Sequence, residues 1–187
     1  MRILVERLKA FWSDTRAAVT AEALIVLPFM IWAHLGTYEY FNVFNAIATN
    51  AKATYTLADI ISRQSGTLTP TMIDEMNNLY TYLNRSPTGA WTRVTCVSWD
   101  PNAGTAGQYY VMWSYATGSH LALTDDTIQT YAPKLPTITE GDTLIMVETH
   151  MTYVSTFSVP GVGASEDLNQ MVITRPRISP QVAFSAS

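Results

Sequence analysis

The sequence predicts an α+β chain: a long N-terminal helix, transmembrane in its first half, that continues into a small outward domain of antiparallel sheet and short helices. Three observations carry that reading. Residues 17–36 hold a single formal charge, Glu22. Apolar residues then recur every three or four positions between residues 40 and 61, the spacing of one helix face. Beyond residue 90 the pattern changes to runs of β-branched and aromatic residues separated by turn chemistry. Composition agrees, because 48 % hydrophobic against 14 % charged residues in 187 excludes a disordered chain and suits one domain with an appendage. A net charge of −4 with no basic stripe excludes a surface for nucleic-acid phosphates.

The first element is a basic leader, residues 1–17. Arg2, Arg7, Lys9 and Arg16 face only Glu6 and Asp14, whereas the remaining residues carry seven basic against thirteen acidic side chains. The second element, residues 18–63, is the long helix. About twenty apolar residues at 1.5 Å each cross the roughly 30 Å hydrocarbon layer, and the basic flank holds the N-terminal end in the cytoplasm. Three plainer readings compete. A buried helix of a soluble protein can be as apolar. A secretory signal would need the small residues Ala46-Ile47-Ala48 as its cut, but these follow the apolar run by about ten residues that include Tyr38, Glu39, Tyr40, Phe41 and Phe44. An ordinary uncleaved anchor also fits the apolar run.

Glu22 separates a plain anchor from something more specific. A carboxylate in a spanning helix costs about 2.5–3.5 kcal/mol at the bilayer centre, so it reads as functional and in need of a partner. Arg16, six residues earlier, sits near the opposite helix face. If the chain were cut after Ala17, Glu22 would be fifth from a new ammonium at Ala18, and a neighbouring subunit's terminus could neutralise it.

At these residues the chain resembles a family. A short basic leader, a small residue at the cut, glutamate fifth in the mature chain and an apolar helix are the arrangement of type IV pilin-like precursors. Within that group, the run Arg16-Ala17-Ala18-Val19-Thr20-Ala21-Glu22-Ala23-Leu24-Ile25-Val26-Leu27-Pro28 resembles the TadE-like minor pseudopilins of the tight-adherence (Flp) pilus. The likeness covers residues 14–45, including Tyr38-Glu39-Tyr40-Phe41, and Arg175-Pro176-Arg177 echoes it faintly. The family usually has glycine where Ala17 stands. Ala23, rather than tyrosine, follows the glutamate, which points to a minor component. The resemblance implies a structural protein of the bacterial inner membrane, with its N-terminus cytoplasmic and its domain periplasmic or, in a pilus, extracellular. It implies a prepilin-type peptidase acting between Ala17 and Ala18, and subunit assembly guided by Glu22. Helix packing would involve Leu24, Leu27, Pro28 and Ile31, and the partners would be other pilus subunits and the assembly machinery. No cofactor, metal or enzymatic activity is implied. The rival reading is a single-pass envelope domain with its own binding or enzymatic activity.

In the outer half of the helix, Phe41, Phe44, Ile47, Ala48, Ala51, Tyr55, Ala58 and Ile61 form one stripe expected to face the domain, with Asn42, Asn45, Asn50, Lys52 and Asp59 facing away. Pro28 and Gly36 are expected kinks. Ser65-Gly66 ends the helix. Residues 64–187 form the outward domain. Thr69-Pro70 supplies an N-cap and first-turn proline for a helix reaching Asn84, with Met72, Ile73, Met76, Leu79, Tyr80 and Leu83 inward. Ser86-Pro87-Thr88-Gly89 closes it. Runs 91–99 and 108–117, joined by Asp100-Pro101-Asn102-Ala103-Gly104, are expected to pair as a hairpin. A third strand, 142–157, can pair with either, and 170–175 adds an edge strand. Between them Thr124 caps a short helix stopped by Pro133 and Pro136.

Sites for chemistry are sparse. Asp125-Asp126 and Glu166-Asp167 are adjacent carboxylates that point apart and read as caps or solvated loop. Glu148 and His150 alternate on a strand but lack a third metal ligand. His34 reads as a hydrogen-bonding residue near the outer interface, and His120 lies in a loop. Trp91, Trp99, Tyr109, Tyr110, Trp113 and Tyr115 read as sheet packing, with a sugar-binding platform as the alternative. Cys96 reads as a small buried residue, with pairing to another chain left open. Gly161-Val162-Gly163 is a loop without an assigned ligand.

Overall fold

The structure, a computed structural model, describes residues 5–7, 9–10, 15–85, 89–104, 107–157 and 165–186. Arg2 and Asp14 of the leader, the turn residues Ser86, Pro87 and Thr88, and the loop 160–163 lie outside them. The fold is α+β. Helix α1 runs Thr15–Ser62 and helix α2 runs Pro70–Asn84; strands β1 (Trp91–Asp100) and β2 (Gln108–Ala116) follow. Next come the short helix α3 (Asp125–Ile128), a 3-10 segment Gln129–Lys134, and strands β3 (Thr143–Val154) and β4 (Ser165–Thr174). The chain divides into two compact units, Met1–Val43 with Ser155–Ala164, and Phe44–Val154 with Ser165–Ser187.

In the first unit, α1 is unbroken through Pro28 and Gly36. The hydrogen-bonded helix therefore continues past both expected kinks. Thr37 returns its hydroxyl to the Ala33 carbonyl at 2.8 Å, and His34 Nδ1 lies 2.8 Å from the Met30 carbonyl. A helix in an apolar medium satisfies its polar side chains in this way, on its own backbone.

The second unit is built on an antiparallel sheet ordered β2-β1-β3-β4. The hairpin forms as expected, with Trp99 opposite Tyr109 and Cys96 opposite Trp113. The third strand pairs with β1, Val94 facing Val147. The edge strand begins five residues earlier than the sequence predicts and pairs with β3 along its whole length. Consequently Glu166 and Asp167 lie in a strand rather than a loop.

One sheet face packs against α1 and α2 around Leu57, Ile61, Ile73, Tyr80, Val94, Ile145, Val147 and Val172. Thr69 caps α2 by accepting from the Met72 amide, and Pro70 opens it. Ile73, Met76 and Tyr80 are buried as expected, but Leu79 is exposed. Arg85 ends this helix in the left-handed region at φ 52°, its amide reaching the Thr81 and Tyr82 carbonyls. The last residues strap this layer: Leu68 bridges Phe184, and the Trp113 indole donates to the Val182 carbonyl at 2.8 Å.

The expected inner stripe of α1 is corrected. Of its members Ala58 and Ile61 are buried as expected, together with Asn50, Ala53, Thr54, Leu57 and Ser62 of the same helix, whereas Phe44, Ile47 and Tyr55 are exposed. Two helix stripes are apolar, and the sheet takes the one with smaller side chains. Its polar members are satisfied there: the Tyr80 hydroxyl donates to Asn50 Oδ1 at 2.6 Å, and the Thr54 and Thr149 hydroxyls meet at 2.6 Å. Alanine at positions 53 and 58 lets the backbone approach, and hydrogen-bonded polar groups cost little when buried.

The opposite sheet face is half covered by the segment around α3, which buries Val97, Tyr109, Ile128, Leu144 and Met146. Thr124 caps α3 in a reciprocal capping box. Pro133 lies inside the 3-10 segment instead of stopping the helix. Proline removes one amide, and next to the last residue of so short a segment that forfeits a single bond of the ladder. Asp125 Oδ1 accepts the Val111 amide at 2.7 Å, capping edge strand β2.

Candidate functional site

Two places carry the residues the sequence singles out. The first is the apolar segment of α1. Helix Val19–Ser62 is long and apolar enough to cross a membrane. Every residue from 19 to 32 is exposed, among them Glu22, Leu24 at 74 %, Leu27 at 58 % and Ile31 at 51 %. Each large apolar side chain removed from water gains about 1.5–3 kcal/mol, so this surface requires a cover. Leu24, Leu27, Pro28 and Ile31 follow at spacings of three and four, one helix face. Ala23, Val26, Leu27, Met30, Ile31 and Leu35 line a shallow apolar groove along it. Ala17 and Ala18 are helical in backbone.

At the C-terminal end of this segment Glu39 is wholly buried. Its Oε1 accepts the Thr156 amide at 3.2 Å, from 117 residues further along the chain. Tyr38 beside it meets Phe157 edge to face at 5.9 Å. Sequence reasoning passes over this pairing, because a contact of such separation leaves no periodic trace; the one available signal is that Glu39 is the first charge after the apolar run.

The second place is the open half of the sheet face beyond α3. Arg93 and Glu148 stand directly opposite each other in β1 and β3. Arg93 Nε donates to Glu148 Oε2 at 2.7 Å, with side-chain exposures of only 14 % and 12 %. The guanidinium also donates to the Leu121 carbonyl and the Tyr131 hydroxyl, and lies 5.6 Å from the Trp91 ring. Burial works against this charge, but the Glu148 hydrogen bond and charge more than offset it, holding Arg93 above its ordinary range. Trp91 stacks with His120 at 4.6 Å and with His150 at 5.6 Å. His150 Nδ1 lies 2.8 Å from Asn169 Oδ1, and Asp167 accepts the Thr152 hydroxyl.

The structure thus places Glu148 and His150 on one face yet gives each a separate partner. Glu148 is committed to Arg93, which sequence reasoning missed. The cross-strand register that unites them exists only once β1 pairs with β3. Among the described residues, no group of three or more His, Cys, Asp or Glu is placed to hold a metal ion. The tryptophans are dispersed instead of forming a platform: Trp99 packs on Tyr109, and Trp113 stacks on Phe184 at 4.9 Å. Cys96 is buried with its Sγ 3.9 Å from Met112 Sδ. Burial pushes its thiol up to about 11, a poor nucleophile at neutral pH.

The class defined by these features is an α+β chain with an N-terminal helix long and apolar enough to span a membrane. No family model matches the chain, and neither the curated proteins nor the solved structures contain a match.

Proposed function

We propose that the chain is a minor pilin-like structural protein of the TadE-like kind, acting in assembly of a tight-adherence (Flp) pilus. In this reading α1 anchors it in the bacterial inner membrane, N-terminus in the cytoplasm and sheet domain in the periplasm. A prepilin-type peptidase acts between Ala17 and Ala18. The observation that carries the reading is the unbroken helix exposed on all sides from residue 19 to 32, with Glu22 within it. Lipid covers such a surface, but it does not favour one helix neighbour over another, since acyl chains are as apolar as leucine. A carboxylate set in that surface fixes the register between subunits, because only a neighbour with a matching positive or donor group relieves its cost. Leu24, Leu27, Pro28 and Ile31 then pack against that neighbour. In the aqueous half of α1 the exposed Phe44, Ile47 and Tyr55 offer a second stripe for subunit contact. The paired groups of the sheet face, Arg93 with Glu148 and His150 with Asn169, favour a structural domain over a catalytic one.

Two measurements test this. Mass spectrometry of the mature chain should find a start at Ala18; an intact leader or a start near Thr49 speaks against pilin-type processing. Glu22→Gln should insert normally while losing pilus assembly or processing. Unchanged pili in that variant would favour the rival reading, an anchored envelope domain with an activity of its own.

A further inference from the structure

We infer that the segment following β3 is a second membrane contact, in which Phe157 joins Tyr38, Tyr40 and Phe41 in an aromatic belt seated at the outer bilayer interface. The inference rests on α1 spanning the bilayer, as proposed above.

The depth follows from helix geometry. Between Glu22 and Glu39 the chain carries no formal charge. At 1.5 Å per residue the apolar run 17–36 covers about 30 Å, the thickness of the hydrocarbon layer, with Glu22 inside it and Glu39 three residues past its end. The residues around Glu39 therefore lie at the outer edge. Tyr38, Tyr40 and Phe41 are 52 %, 58 % and 66 % exposed there. Aromatic side chains gather at this depth because the ring gains from leaving water while a polar tip stays hydrated.

Phe157 is held at the same level. Its ring centroid is 5.9 Å from that of Tyr38, and it remains 43 % exposed. The neighbouring Thr156 amide is bound to Glu39, and the Ser155 hydroxyl donates to the Phe157 carbonyl at 2.6 Å, tightening the turn. Glu39 is wholly buried, a setting in which a bare carboxylate would be costly, and the Thr156 amide supplies part of its compensation. The clasp thus fixes the segment to the helix and leaves one apolar ring pointing outward beside three others. The occupant of that surface is the boundary between headgroups and acyl chains. The exposed side chains of the belt are uncharged, so the contact needs no anionic lipid.

The test uses the full chain in nanodiscs of phosphatidylcholine, with or without phosphatidylglycerol, on a Cys96→Ala background. Nitroxide labels are placed at Phe157→Cys, Ile31→Cys and Tyr82→Cys, and their collisions with oxygen and a water-soluble nickel chelate are measured. The expected result is a loss of nickel collision at position 157 relative to position 82, with oxygen collision retained, in both lipid mixtures. With Phe157 intact, a label at Ser155→Cys should also be shielded from nickel, and adding Phe157→Ser should expose it. Nickel access at 157 equal to that at 82 overturns the inference. So does shielding from both probes, which would mean a protein cover, or shielding only with phosphatidylglycerol present. Free nickel access at Ile31→Cys would instead refute the spanning helix itself.

Discussion

Removing the Glu148 carboxylate tests whether the open sheet face is a structural network. In Glu148→Ala, Arg93 keeps its donations to Leu121 and Tyr131 but loses the 2.7 Å bond to a charge. Breaking a buried ion pair on one side costs about 3–5 kcal/mol, and a hydrogen bond to a charged group is worth about 1.5–3 kcal/mol. Exposures of 14 % and 12 % leave some water access. The expected loss is therefore roughly 2–4 kcal/mol. In a unit of this size that lowers the melting temperature by about 10 °C. Replacing both partners, Arg93→Met with Glu148→Leu, should recover most of the loss, since no charge is left stranded. Near-UV circular dichroism of the full chain in detergent, with thermal and urea unfolding of Glu148→Ala and of the cycle Arg93→Met, Glu148→Leu and their double variant, gives the loss and the coupling. A Glu148→Ala variant within about 0.5 kcal/mol of the parent would refute the reasoning, because losses that small belong to solvated surface pairs. A double variant no better than the singles would show that the face needs charge for another reason.

Two further outcomes follow from the same core. Burial pushes the Tyr80 hydroxyl up from 10.0 to about 12; the folded state therefore holds its proton more tightly than the unfolded chain. That stability is fully present below pH 10 and is lost as pH rises towards 12, by about 2–3 kcal/mol. Tyr80→Phe should flatten that part of the stability profile, and an unchanged alkaline slope would show that other groups set it. At Gly107, where φ is +81° and an added Cβ would meet the Trp99 ring, Gly107→Ala should cost about 2–4 kcal/mol. Urea midpoints check this, and a neutral result would mean the hairpin turn relaxes freely.

Much of the architecture can be read from local chemistry. Thr69-Pro70 starts a helix because a side-chain oxygen takes an orphan amide and proline has none to lose. The runs 91–99 and 108–117 pair across a turn because they lie close in the chain and carry residues suited to a pleated surface. The apolar, nearly uncharged run around Glu22 is equally plain, since the capacity to cross a membrane needs only length and hydropathy. The candidate site beyond the helix is much less legible. Arg93 and Glu148 are 55 positions apart, and no spacing rule links them until β1 and β3 pair.

By itself, then, the chain determined its elements, their caps and the stretch that must leave water, because each depends on neighbours within a few residues. Only the tertiary structure decided which of two apolar stripes of α1 meets the sheet, and that Glu39 would be closed over by Thr156. Those outcomes depend on the fit of distant surfaces. There, small side chains and satisfied hydrogen bonds outweighed the larger rings that periodicity alone would have turned inward.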